Sequence, residues 1–252
     1  PLAHAVGDKR GAGLVLALLA LVALARDDPA GARARCDESV ALLREAKDTW
    51  GEAFALRVLG MATVRAGDPT AARALYDQSL ALWRQVGDTW GLALTLDDLA
   101  AATPDYATAH TLFEESITLM RQAMDPWGLS RSLIGAGRAA LAQGLLPQAR
   151  ALVRESLLLR RDLGTKAGVA ECLMVLAEEA AHAQRWDQAV RLGGVANSLG
   201  TVADADVAPA ARAAYERALA EARAHLGDPT AGEVAAQGQA MTLEQAIETI
   251  GE

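Results

Sequence analysis

Aromatic residues are scarce in this sequence: Phe, Trp and Tyr together make up 4% of its 252 residues, although 52% of the residues are hydrophobic. The apolar content is therefore mostly Ala, Leu and Val. Ala and Leu favour helices, whereas the β-branched and aromatic residues that favour strands are sparse. This composition predicts an all-α fold.

Cysteine and histidine are also rare. The two cysteines, Cys36 and Cys172, lie far apart and match neither a zinc spacing nor a disulfide framework. We therefore expect buried free thiols and a reducing, cytoplasmic location. The four histidines are dispersed, without the paired spacing of a metal site. Because no catalytic, metal-binding or cofactor-binding pattern is present, the sequence predicts a protein that is not an enzyme and uses no cofactor.

Clusters of basic residues and long apolar runs are missing as well. The formal net charge is −8, and no Lys/Arg patch of the kind that binds nucleic acid is present, so we expect no nucleic acid to bind this segment. The apolar run LVLALLALVALA at 14–25 is too short to span a bilayer. We interpret it as a buried helix rather than a targeting segment, and we expect no membrane contact.

The sequence does contain an internal repeat. The stretch GDTWG at 87–91 recurs as KDTWG at 47–51 and MDPWG at 124–128, and GDKRG at 7–11 matches it in part. The chain is therefore expected to begin in the tail of an earlier repeat. Two more columns keep the same spacing, which is the mark of a repeat architecture. They comprise Ala32, Ala72, Ala109, Ala149 and Ala189, and Ser39, Ser79, Ser116 and Ser156.

Each repeat has the pattern of two helices. Gly87 suits the end of one helix, Asp88 or Thr89 suits the cap of the next, Trp90 is expected to be an apolar anchor, and Gly91 allows close approach. We therefore interpret GDTWG as the junction between helical hairpins rather than a repeated ligand motif. The serines of the second column are expected to be packing positions and not nucleophiles.

The pattern predicts an α-solenoid of about five hairpins with a period of about 40 residues and a C-terminal helical cap. A deletion near TPDY shortens one hairpin. The expected hairpins lie near 11–47, 50–87, 89–123, 127–163 and 166–199, and the expected domains are a repeat solenoid at 1–200 and a capping segment at 201–252.

The spacing of Leu59-Gly60, Gly67-Asp68, Ala72, Tyr76 and Ser79-Leu80 resembles the tetratricopeptide pattern. With its longer period, the array is similar to the MalT-like tetratricopeptide arm, which forms the C-terminal sensor region of LuxR-type transcription regulators and STAND-class signalling ATPases. The tail, with GQAMTLEQAIETI at 238–250, resembles the end of those regulators.

This resemblance implies a protein-binding arm that acts in signal transduction. The ATPase and DNA-binding activities of the family are not expected in this chain, because GAG at 11–13 and 135–137 lacks the Lys-Ser/Thr of a phosphate loop and no helix-turn-helix with a basic recognition helix is evident. A stand-alone tetratricopeptide scaffold or adaptor is the alternative.

The first helix of each hairpin is expected to line the concave side of a solenoid. A protein or peptide, or a small effector, is the expected partner on this side. The alternative is that these positions are ordinary solvated residues. Self-association through the apolar helix 14–25 is also expected, because uncovered apolar patches usually mark contacts. The candidate concave-face residues are Arg57, Met61, Arg65, Asp97, Arg131, Ile134, Arg138, Met174, Glu178 and His182.

Overall fold

The structure, a computed structural model, describes residues 8–199 and 209–250, and these residues form thirteen helices and no strand. The first six are α1 (Lys9–Ala25), α2 (Pro29–Glu45), α3 (Thr49–Arg65), α4 (Pro69–Val86), α5 (Thr89–Ala101) and α6 (Tyr106–Gln122). The others are α7 (Pro126–Ala142), α8 (Leu146–Asp162), α9 (Lys166–His182), α10 (Trp186–Ser198), α11 (Pro209–Leu226), α12 (Asp228–Ala240) and α13 (Leu243–Ile250). The predicted all-α class is confirmed.

The first ten helices pack as consecutive pairs, α1 with α2 through α9 with α10, which confirms the five predicted hairpins. Helix α5 has 13 residues where α3 has 17, because the deletion removes its last turn. The chain divides into two compact units, Pro1–Met124 and Asp125–Glu252, so the division falls between the third and fourth hairpins. The predicted domain boundary at residues 200 and 201 lies outside the described residues, and that division stays a prediction.

An aspartate is the N-cap residue of every helix from α1 to α7. In each case a carboxylate oxygen accepts a hydrogen bond from a backbone N–H in the first turn, which satisfies a donor that has no partner inside the helix. From α8 onwards the described cap positions of α8, α9, α10 and α12 make no such side-chain bond. The capping residues are Asp8, Asp28, Asp48, Asp68, Asp88, Asp105 and Asp125.

The GDTWG stretch is a junction, as predicted, and Asp88 is the residue that caps. Gly87 has a φ of 75°, a left-handed conformation that ends α4 without the steric cost of a side chain. Asp88 then accepts from the Gly91 N–H at 2.8 Å. Gly91 lies against the buried indole of Trp83, where a Cβ atom would come within 2.6 Å of the ring.

The tryptophans of this junction are surface residues rather than buried anchors. Trp50, Trp90 and Trp127 are 37%, 44% and 51% exposed. The Trp50 Nε1–H donates to the Asp88 carboxylate at 2.8 Å, and its ring stacks on Phe54. Asp88 therefore caps its own repeat and holds the tryptophan of the preceding one.

The serine column is a packing position, as predicted: it lies where the two helices of a hairpin touch, and it also bonds them together. Each buried serine Oγ donates to a backbone carbonyl on the first helix of its own hairpin. The alanine column is buried throughout, at 2% exposure or less. Small side chains at both columns let the helix backbones come close. The bonds join Ser39 to Gly13, Ser79 to Ala53, Ser116 to Ala93 and Ser156 to Ser130, over 2.7–3.0 Å.

Helix α1, the predicted buried helix, is buried on one face. Ala17, Ala20 and Leu24 are at most 6% exposed and pack on α2 and α3. The opposite face carries apolar side chains that are about half exposed. At the other end of the chain, α11 and α12 pack on α10, and α13 is tied to it by a 2.6 Å bond from Gln188 Nε2 to the Thr249 carbonyl. Within the second unit, the last hairpin is therefore covered.

Candidate functional site

A groove in the second unit is a candidate binding site. It is a cavity of about 340 Å³, which is within the size range of small-ligand pockets. Its walls come from α7 and α9, the first helices of two successive hairpins, and from the last turn of α8. The residues that line it are Trp127, Ser130, Arg131, Ile134, Arg160, Thr165, Ala167, Gly168 and Glu171.

A single carboxylate organises the charges of this groove. Glu171 on α9 accepts from Arg160 Nη1 at 2.6 Å and from Arg138 Nη2 at 3.4 Å, so it joins α7, α8 and α9. Arg160 also donates to the Gly168 carbonyl at 3.0 Å. Two guanidinium groups around one carboxylate leave the site with an excess of positive charge.

The polar face continues along α9 towards its C-terminal end. Glu178 and His182 follow Glu171 at helical spacing, so all three share one side of α9. Burial raises the pKa of Glu178, and the nearby side chains of Arg138, His182 and Arg217 offset only part of that effect. A carboxyl whose pKa is raised by burial next to a cleft is a feature of binding and catalytic sites as well as of structural networks.

In the first unit, α3 and α5, which are the first helices of two successive hairpins, are joined by a buried ion pair. Arg57 Nε on α3 lies 2.6 Å from Asp98 Oδ2 on α5, and the two side chains are 10% and 9% exposed. The contact joins two successive hairpins. Asp98 was not among the predicted residues, although it is the neighbour of Asp97, which lies one repeat of 40 residues after Arg57 and was predicted.

The tetratricopeptide repeat family model matches residues 12–85 and 52–122. The matched residues make up less than half of the chain, and together with the five hairpins they identify the fold. The chain is a tetratricopeptide-like repeat solenoid. No curated protein matches it in sequence.

Two solved structures share the fold of this tetratricopeptide-like solenoid. TPR-like repeats assigned to a kinesin light chain of Podosopora anserina superpose with a TM-score of 0.60 at 15% identity, over 74% of this chain and 94% of theirs. The apo form of RapI superposes with a TM-score of 0.61 at 11% identity, over 85% of this chain and 84% of its own. At these identities the likeness concerns the fold alone.

Only some of the predicted concave-face residues are exposed to solvent. Arg57, Asp97, Ile134 and Met174 are buried, at 8%, 2%, 4% and 1% exposure. Arg57 serves the ion pair with Asp98, and Ile134 forms the apolar wall of the groove. The positions that keep at least partial exposure are Met61 and Arg65 in the first unit, and Arg131, Arg138, Glu178 and His182 in the second. Trp127, which lines the groove from the third junction motif, was missed because that motif was interpreted as structural only.

The two cysteine thiols of the solenoid are unreactive, and the potential metal-ligating side chains that the structure describes are dispersed. Burial raises the pKa of Cys36 to about 12 and that of Cys172 to about 11, so both thiols stay protonated near neutral pH. No cluster of three or more potential metal-ligating side chains occurs among residues 8–199 and 209–250. In the same residues, no helix is both long enough and apolar enough to cross a membrane.

Proposed function

We propose that the chain is a non-catalytic sensor arm of a larger, cytoplasmic signalling protein of the LuxR or STAND type. The groove of the second unit would hold its ligand, which is a protein segment, a peptide or a small effector. The resemblance of the repeats and of the C-terminal tail to such regulators supports the larger context. The groove between α7 and α9 supports the binding role, and it is the observation that carries this proposal.

The chemistry of the groove indicates what would bind there. Trp127, which is 51% exposed, offers an indole face to an apolar or aromatic group. Arg138 and Arg160 share one carboxylate, Glu171, so an acidic group on the ligand would meet a net positive charge. Arg131 lines the same groove. Arginine is well suited to carboxylates because its planar guanidinium group donates two parallel hydrogen bonds. A segment that combines an apolar and an acidic side chain would fit both features.

A displayed peptide library selected against the purified chain tests the groove. Peptides that bind it should lose at least about tenfold in affinity to Trp127→Ala and to Arg131→Glu, since loss of a central aromatic or arginine hot-spot contact costs about 2 kcal/mol or more and tenfold corresponds to about 1.4 kcal/mol. Arg154→Glu is the matched control, because Arg154 is an exposed arginine of α8 that does not line the groove. If the peptides bind all three variants equally, and each variant has an unchanged circular dichroism spectrum, the groove is not the peptide-binding site.

The context of the chain is tested separately, in the full-length protein. A nucleotide-binding ATPase module encoded upstream, and loss of control over nucleotide hydrolysis when 1–252 is deleted, would support the sensor arm. An initiator Met close to Pro1 would favour the alternative, a stand-alone scaffold or adaptor. A deletion without effect on hydrolysis counts against the sensor arm, whatever the groove binds.

Self-association through the apolar helix 14–25 is a further part of this proposal. The half-exposed apolar face of α1 supports it, and it is independent of the groove.

A further inference from the structure

Helix α1 carries a stripe of exposed apolar side chains, hereafter the α1 stripe. Its four residues, Val15, Leu18, Leu19 and Val22, are 52%, 54%, 46% and 47% exposed. They follow the spacing i, i+3, i+4, i+7, so they lie on one side of the helix. The fifteen residues from Gly11 to Ala25 contain no charged side chain.

The same positions are covered in the next hairpin. One repeat of 40 residues further on, α3 has Ala55, Val58, Leu59 and Ala62, which are 0%, 0%, 7% and 0% exposed. They pack against both helices of the preceding hairpin, including Ala17, Val40 and Ala32. This side of a first helix is thus a helix-packing surface, and α1 presents it with larger side chains and no cover among the described residues.

The charges at the two ends of the α1 stripe indicate the occupant. Asp8 and Arg26 are exposed and lie on the same side of α1 as the stripe, by its helical spacing. They have opposite signs, and Arg26 has no ion-pair partner among the described residues. A surface with a negative end, an apolar middle and a positive end is complementary to a copy of itself in the reverse direction.

The stripe is also symmetric about its centre. Leu18 and Leu19 are equally far from the midpoint between them, and so are Val15 and Val22. In an antiparallel pair of α1 helices related by a two-fold axis at this midpoint, each valine faces a valine and each leucine faces a leucine. Arg26 of one copy then lies about 5 Å along the axis from Asp8 of the other, at about 1.5 Å per residue, which an arginine side chain can bridge. Such an isologous contact is the commonest way in which identical chains pair.

We propose that two copies of this chain form a two-fold symmetric dimer through antiparallel packing of their α1 stripes, with Arg26 of each copy paired to Asp8 of the other. The inference rests on the self-association proposed above and gives it a geometry. Because four side chains per copy form a small contact compared with the ~1,200–2,000 Å² of stable interfaces, the dimer is weak and concentration-dependent.

Light scattering and sedimentation of the purified chain over a range of concentrations test the contact. The wild type should convert from monomer to dimer. Leu18→Glu should weaken the association by about tenfold or more, because two glutamates would meet at the two-fold axis. The matched control is Val86→Glu, which changes an equally exposed apolar residue, 41% exposed, at the end of α4 and should leave the association unchanged. Thermal melts of each variant separate loss of pairing from loss of folding.

A double-mutant cycle tests the charge pair. Asp8→Asn removes the charge while keeping a good N-cap residue for α1, and Arg26→Gln removes its partner. Each single variant should weaken the dimer by several-fold, and the double variant by no more than one single variant, because both remove the same pair. Full additivity would overturn the pairing of Asp8 with Arg26.

Disulfide trapping tests the direction, since both native cysteines are buried. In a mixture of Val15→Cys and Val22→Cys, the antiparallel dimer should give a mixed disulfide between the two variants. Disulfides of Val15→Cys with itself should be rare, because those sites lie about 10 Å apart along the axis. Trapping of like with like would overturn the antiparallel arrangement and leave self-association standing. A chain that stays monomeric at every concentration, or a dimer that Leu18→Glu does not weaken, would overturn both.

Discussion

Replacing Asp88 by alanine removes two hydrogen bonds from the junction between the second and third hairpins. One is the cap of α5, from the Gly91 N–H at 2.8 Å, and the other comes from Trp50 Nε1 at 2.8 Å. Loss of an N-cap costs about 1 kcal/mol. Loss of a hydrogen bond to a half-exposed indole costs a further ~1 kcal/mol. We therefore expect Asp88→Ala to lower the free energy of unfolding by about 2 kcal/mol, or the Tm by about 4–8 °C.

Urea denaturation followed by circular dichroism separates the two contributions. Asp68→Ala removes only a cap, since Asp68 accepts from the Ala71 N–H, and should cost about half as much as Asp88→Ala. Asp88→Asn keeps the cap but places an amide group where the second oxygen accepted from Trp50, so it isolates the indole bond. If Asp88→Ala costs no more than Asp68→Ala, the link between repeats contributes nothing, and the reasoning from the structure fails.

Three more predictions concern other positions. Asp98→Ala should destabilise the first unit by about 3 kcal/mol, because it leaves the Arg57 charge buried alone, and Arg57→Met with Asp98→Leu should recover most of that loss in the same urea assay. Glu178→Gln should raise the free energy of unfolding at neutral pH, because the pKa of Glu178 is higher in the folded state than in the unfolded state and its ionised form therefore destabilises the fold. Below the unfolded-state pKa the carboxyl is protonated in both states, so the gain should disappear in thermal melts at more acidic pH. Lys47→Gly should stabilise by about 1 kcal/mol in thermal melts, because Lys47 is exposed and holds a φ of 54°, where a side chain is strained; an unchanged Tm would show that the turn carries no strain.

The sequence pattern was sufficient to predict the hairpins, because small residues at fixed spacing recur only where the backbones of two helices come close. The serine and alanine columns are therefore buried where they were expected. The pattern did not decide whether Asp88 or Thr89 is the N-cap of α5, since the side chains of both residue types accept hydrogen bonds from backbone N–H groups at the start of a helix. The structure shows that Asp88 is the cap.

The candidate site was less predictable because helical periodicity identifies a face and not what covers it. Arg57 and Met174 have the correct spacing for the first-helix face, yet both are buried by neighbouring helices. Arg131 and Arg138 have the same spacing and keep partial exposure. The contact between Trp50 and Asp88 spans 38 residues, and no local rule connects two residues that far apart in sequence.

The uneven distribution of aspartate caps gives the two units different responses to acid. In the first unit, burial of Asp48 is outweighed by the Gly51 N–H and Arg10, which lower the pKa of its carboxyl, and hydrogen bonds from Thr108 lower the pKa of Asp105. The stability that these caps provide is present at neutral pH and is lost as the pH falls through their lowered pKa values. In the second unit, α7 has the carboxylate cap of Asp125, but α8, α9 and α10 have no carboxylate cap to lose, and protonation of Glu178 relieves an unfavourable charge. Acidification should therefore open the hairpins of the first unit to hydrogen exchange before the hairpin of α9 and α10, so that one chain melts from its N-terminal half.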